Sequence, residues 1–201
     1  MSRNLPERKN PAYRIDASDI FAVIKTKQAL ETLLKLQYRP QKQQLIILCI
    51  GTDRSTGDAL GPLVGTRLKG LRPVNTDIFG TLEEPVHAVN LSETIEKITE
   101  TYSSPFIIAV DACLGRQESV GCIDIGLGPT RPGAGVNKDL PPVGQIHIDG
   151  IVNVGGFLEH FVLQNTRLSL VMRLAEIITR GLFLTLQNLH SSSTQSEAIR
   201  M

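Results

Sequence analysis

The sequence predicts an α/β fold, a three-layer α/β/α sandwich around a mainly parallel sheet. Two short runs, Leu45–Ile50 (LIILCI) and residues 105–110 (PFIIAV), are apolar at every position or nearly so and are bounded by polar or glycine residues. Strands of that kind are covered on both faces, which is the habit of parallel sheets. Between them lie segments with three- and four-residue apolar spacing, so strands and helices alternate. The third observation is the turn after the first run, GTDRSTGD, a dense polar cluster at a strand's carboxyl end. In open α/β sheets that edge is where ligands and substrates sit.

Each element follows in order. Residues 1–16, with Pro6, Pro11 and many charges, read as a flexible arm. From Ser18 an amphipathic helix is expected, its apolar positions Ile20, Phe21, Val23, Ile24, Leu30, Leu33, Leu34 and Leu36, ending before Pro40. The central strand leads through Gly51 into a helix from Asp58 to about Lys69, thinned by Gly61 and Gly65 for close packing on a sheet. Val74–Gly80 reads as a strand, Glu83–Val89 as a loop or short strand, and Leu91–Tyr102 as a helix. The strand from 105 is expected to stop at Asp111, with Val120–Ile125 and Gly144–Ile151 as further strands. Residues 126–143 form a long Gly- and Pro-rich loop, 153–188 are mainly helical with a break near Asn165, and the tail from Ser191 reads as disordered. The domain plan is thus an arm (1–16), one α/β domain (17–189) and a polar tail (190–201), with no repeat.

Bulk properties exclude several classes. The chain has 201 residues and a formal net charge of +1, with no basic block to serve as a nucleic-acid footprint. No uncharged apolar run is long enough to span a membrane, and the N-terminus lacks a signal-peptide core. Cys49, Cys113 and Cys122 show no CxxC spacing, which fits a reduced, cytoplasmic compartment.

The chemistry-bearing candidates are acidic. Asp58 follows the first buried strand's turn and Asp111 follows the second strand, so in a parallel sheet both lie on one edge. A carboxylate there is costly to desolvate unless hydrogen-bonded, metal-bound or sharing a proton. A paired-carboxylate site would meet that cost, one acid protonated and the other activating water. The competing readings are a helix cap at Asp58 and a turn former at Asp111. The Gly51–Gly57 turn fails as a phosphate loop, because Asp58-Ala59 stands where Lys and Ser/Thr are required. Cys113 lacks the local signature of a nucleophile. His87, His147 and His160 are the histidines available to a metal site with the two aspartates. The loop GPTRPGAGVNKDLPP is long enough to be a binding loop, and Arg131, Asn137 and Lys138 are its candidate contacts.

The segments GTDRSTGDALGP, IIAVDACLGR and RPGAGVNKDL resemble, in order, three signature segments of the germination protease family of spore-forming bacteria. Over residues 44–160 the chain looks closer still to the YyaC-type sporulation proteins, a short branch related to that protease. The resemblance implies an aspartic-type endopeptidase whose two catalytic residues correspond to Asp58 and Asp111. Its cleft would be lined by Thr52, Asp53, Arg54, Ser55 and Gly57 from the first turn and by Arg131, Gly133 and Asn137 from the long loop. It implies a protein or peptide substrate, with small acid-soluble spore proteins the candidate, in the cytoplasm of a sporulating cell or forespore, and no cofactor. It also implies a fold shared with hydrogenase maturation endopeptidases, where acidic residues at these two sites and a histidine recognise nickel. The departures are Asp53, where the family carries Asn, and the continuation Cys-Leu-Gly-Arg after Ala112. Two alternatives therefore stand beside the peptidase: an inactive factor binding a peptide in the same cleft, and a metal-assisted maturation-type endopeptidase.

Overall fold

A computed structural model of the chain describes residues 13–133, 140–156 and 158–198. Six strands form one sheet: β1 (Tyr13–Asp16), β2 (Gln44–Cys49), β3 (Thr76–Phe79), β4 (Pro105–Gly115), β5 (Cys122–Leu127) and β6 (Ile146–Val154). The helices are α1 (Ala22–Gln37), α2 (Leu60–Gly70), α3 (Leu91–Thr101), α4 (Glu159–Gln164) and α5 (Leu168–Ala198), with a 3-10 turn at Gln117–Ser119. The strand order is β1-β5-β6-β4-β2-β3. The pairs β3–β2, β2–β4 and β4–β6 are parallel, while β5 and β1 join antiparallel at the far edge.

The two-faced burial read from β2 holds. Leu45, Ile47 and Cys49 pack into one core with Leu30, Leu33 and Leu34 of α1, Leu60, Val64 and Leu68 of α2, and Leu174, Ile178 and Leu182 of α5. Ile46, Leu48 and Ile50 face a smaller core with Leu91 and Ile98 of α3. Helices therefore cover both faces, and the sandwich has three layers.

Four boundaries differ from the sequence reading. Tyr13–Asp16 is the edge strand β1, part of the sheet, so the expected arm is too long; residues 1–12 lie outside the described set. Its docking is electrostatic, since the Arg14 guanidinium donates from Nε and Nη2 to both oxygens of Asp124, at 2.7 Å each, and from Nη1 to Ser119 Oγ at 3.0 Å. Helix α1 starts at Ala22, and its buried side is Ala22, Thr26, Ala29, Leu30, Leu33 and Leu34; Ile20, Phe21, Ile24 and Leu36 are exposed. The close approach of α5 selects that side, because Gly181 packs against Thr26 with no room for a Cβ. Strand β4 runs past Asp111 to Gly115, and α5 continues through the expected tail to Ala198. Among the described residues, no helix is long and apolar enough to cross a membrane.

Arg14→Ala leaves the Asp124 carboxylate buried without its cation. Breaking a buried pair costs about 3–5 kcal/mol; the half-exposed Arg14 brings the expected loss nearer ~2 kcal/mol. The thermal midpoint should fall by about 4–8 °C, measured by circular dichroism, and an unchanged midpoint would remove the clamp role.

Candidate active site

Strand β2 ends at Cys49, and the chain then makes a tight return. Ile50 forms a lone bridge with Val86, Gly51 N–H donates to Val86 O at 2.8 Å, and Thr52 N–H donates to Asp58 O at 3.1 Å. The turn is closed from outside by α4, whose Leu163 O accepts the Gly57 N–H at 2.9 Å. Glycine at 57 lets α4 close on the turn, as a Cβ there would stand 2.8 Å from the Leu163 side chain and 3.1 Å from its carbonyl oxygen.

The cap reading of Asp58 does not survive. Helix α2 begins at Leu60, its N-cap position is Ala59, and no side chain caps it. The Asp58 carboxyl is partly buried instead. Burial raises it above the ordinary carboxylate range, while Ser55 and then His160 act in the opposite direction. The Ser55 hydroxyl is buried and makes no hydrogen bond of normal geometry, yet stands near enough to the Asp58 carboxyl to favour its charged form. Helix α4 thus brings a histidine to Asp58, from a segment 102 residues downstream.

Asp111 lies within β4, level with Ile50 because Cys49 pairs with Val110 and Ile50 N–H donates to Val110 O at 2.8 Å. It sits on the α3 side of the sheet, since Val110 and Ala112 on either side of it pack into the opposite core. Its Oδ1 accepts the Ala112 N–H at 2.8 Å. Its partner across the ladder is Asp149 of β6, and Asp149 in turn pairs with Asp124 of β5. Thr130 Oγ1 donates to Asp149 Oδ1 at 2.9 Å. The sheet therefore assembles acids that the sequence reading did not single out. The alternation Ile146, Ile148 places His147 and Asp149 together on the other face, and that pattern was the available signal.

The remaining candidates divide. Thr52 Oγ1 accepts the Arg54 N–H at 3.3 Å, and Asp53 and Arg54 are exposed at the turn's tip. Arg131 is exposed, and Gly133 adopts a left-handed φ of 71°. Asn137 and Lys138 lie outside the described residues. Cys113 is buried, against a nucleophile's need for access. His147 is engaged with Gly128 O at 3.1 Å, and His87 Nδ1 accepts the Val89 N–H at 3.3 Å. Among the described residues no three His, Cys, Asp or Glu side chains gather into a group that could hold a metal ion. Among the described residues Asp58 and His160 have no third such donor grouped with them.

The chain is 55% identical over 157 residues to the uncharacterized protein YyaC of Bacillus subtilis (strain 168), covering 78% of this chain and 77% of that one. Among solved structures it is similar to the [NiFe] hydrogenase maturation protease HycI from Thermococcus kodakarensis KOD1, with TM-score 0.43 and 20% identity over 76% of this chain and 97% of that one. A likeness of that size carries nothing about activity. Residues 20–181 match the family described as "Protein of unknown function (DUF1256)", and the chain belongs to that family.

Proposed function

We propose that the protein is a sporulation-associated, aspartate-dependent endopeptidase acting on a protein substrate, with Asp58 and Asp111 as its catalytic acids. The observation that carries this reading is Asp58 itself, a partly buried, non-capping carboxyl raised by desolvation at the carboxyl edge of a parallel sheet. Asp111 supports it, lying on the neighbouring strand one step from the turn that holds Asp58. The resemblance to germination protease segments supports the substrate class, small acid-soluble spore proteins.

In this mechanism Asp58 and Asp111 share one proton: the ionised carboxyl takes a proton from water as the water oxygen bonds to the scissile carbonyl carbon, and the protonated one gives its proton to the carbonyl oxygen. The tetrahedral intermediate collapses as the C–N bond breaks, the first carboxyl passes its proton to the leaving nitrogen and the second recovers its own from the hydroxyl. Thr52, Asp53, Arg54 and Arg131 would line the peptide's path, whereas Ser55 and Gly57, expected there from the sequence, are buried.

The working form holds one proton, so cleavage should rise and fall with pH as a bell. Purified protein, incubated with unfolded small acid-soluble spore proteins from mildly acidic to neutral pH, should yield defined fragments by mass spectrometry. A flat pH profile would remove the two-acid mechanism. Intact substrate throughout would favour the second reading, a factor that binds peptide in the same place. The observation behind that reading is α4's approach, where Leu158 and Phe161 stand exposed beside His160 and offer a grip for an apolar side chain.

A further inference from the structure

The turn that carries Asp58 is covered, and the cover is α4. Ser55 and Gly57 are buried, and Asp58 beside them is partly buried. Apart from its chain neighbours, the three atoms nearest a Cβ at Gly57 all belong to Leu163. Gly57 has no left-handed φ, so contact with Leu163 rather than backbone conformation limits its size. Its N–H donates to Leu163 O at 2.9 Å, so a carbonyl of the protein's own chain already holds the backbone donor next to Asp58. A carbonyl on a backbone N–H, with an apolar side chain seated beside it, is also how an extended peptide docks.

The attachment of α4 is slight. The helix has six residues, too few to stay helical without its packing, and Leu163 is the one that is buried. Strand β6 holds it through Asn153, whose Nδ2 donates to Val162 O and to Thr166 Oγ1 at 3.2 Å each. The chain leaves β6 through Gly155 and Gly156, and Gly156 has φ 137° with open space around its Cβ position. Such a position absorbs the backbone rotation of a hinge. Leu158, at the helix start, is exposed yet held at φ 51°, a conformation costly for a residue with a side chain. At the other end Leu163 O also accepts the Thr166 N–H at 3.3 Å, so it keeps a partner on leaving Gly57. The Gly57 N–H, once uncovered, needs a new acceptor.

We propose that α4 is a built-in lid standing in the place of substrate: Leu163 O holds the Gly57 N–H until α4 swings out about Gly155 and Gly156, and the carbonyl of an apolar substrate residue then takes it. The substrate half rests on the peptidase reading; the opening of α4 does not. A peptide bound in this way lies beside Asp58, from which the closed lid keeps it.

Amide hydrogen exchange of the full chain, read residue by residue by NMR, tests the opening. Gly57 and Val162 should exchange about tenfold or more faster than Ile47 of β2 and Ile108 of β4, whose exchange requires global unfolding. In Leu163→Ala and in Asn153→Ala, Gly57 and Val162 should quicken together by about fivefold or more. A wild-type Gly57 rate equal to that of Ile108, or one unmoved in both variants, overturns the lid; two variants guard against one failing to fold. The substrate half is read in Asp58→Asn, which should bind without cutting. Adding unfolded small acid-soluble spore protein should slow exchange at Gly57 and quicken it at Val162, and any other pattern overturns the displacement. Opening of α4 without cleavage by the wild type would sink the peptidase reading and leave the lid. Cleavage with Gly57 locked at the rate of the sheet would do the reverse.

Discussion

Asp58→Asn should abolish cleavage while making the protein more stable at neutral pH. General acid–base groups contribute about 10²–10⁴-fold, and asparagine can neither take nor return a proton, so a loss of that size is expected. The stability gain has a separate origin. Burial raises the Asp58 carboxyl above the ordinary range, so the folded chain binds this proton more tightly than the unfolded chain does. The sign follows: this group's contribution is most favourable below its unfolded midpoint and is lost as pH rises through the raised folded value. At pH 7, above the unfolded midpoint, the wild type bears the cost of burying this carboxyl, offset in part by Ser55 and His160. Asparagine removes that burden, and each ~1 kcal/mol relieved lifts the midpoint by about 2–4 °C. Thermal melts at pH 4 and pH 7 check this, because the advantage of the variant should shrink at the lower pH. A midpoint that falls at pH 7 would mean that the carboxylate is held by favourable contacts rather than strained by burial. Stability rising as function is lost is the pattern of a residue kept for chemistry.

How much of this was legible in the sequence depends on how local the signal was. The runs at Leu45–Ile50 and 105–110 announce doubly covered strands because each residue there is apolar regardless of which face it takes. The placement of Asp58 and Asp111 after those runs, which makes them candidates, is legible in the same way. Asp149 and Asp124 were not, since nothing in IHIDG or CIDIG marks them as neighbours until the sheet sets β5 and β6 in register. His160 came to Asp58 by the docking of a six-residue helix, α4, whose position follows from Leu163 packing on Gly57. Arg14 falls in the expected arm because the alternation Tyr13, Arg14, Ile15, Asp16 runs for only four residues, too short a strand signal beside the prolines and charges before it; the ion pair with Asp124 supplies what length lacks. The face of α1 was misjudged for a similar reason. Ile20, Phe21 and Ile24 are as apolar as Leu30 and Leu33, and only the contact of Thr26 with Gly181 shows which side is covered.

Gly51→Ala is expected to have the largest effect on folding. Gly51 has φ 144°, a conformation reserved almost wholly for glycine, and a Cβ there would lie 1.9 Å from the Asp58 carbonyl oxygen. That oxygen is backbone and already accepts the Thr52 N–H, so no side chain can swing aside to make room. Relief requires the whole Thr52–Asp58 turn to lift from β2. Helix α2 is tied to the same point, because Gly61 packs with its Cβ position 2.1 Å from Ile50 O. Strained φ for a non-glycine residue costs about 1–3 kcal/mol, and the unrelieved backbone clash brings the expected total to roughly 3–5 kcal/mol. The midpoint should drop by about 6–20 °C. Gly70→Ala is the matched control: it lies at the end of the same helix with nothing within 4 Å of its Cβ position, and should gain about 0.4–1 kcal/mol through the unfolded state. Equal midpoints for the two variants would show that the turn yields without cost. The expected contrast instead ties the fold to the site, since the contact that forbids a side chain at Gly51 is also the one that fixes the backbone of Asp58.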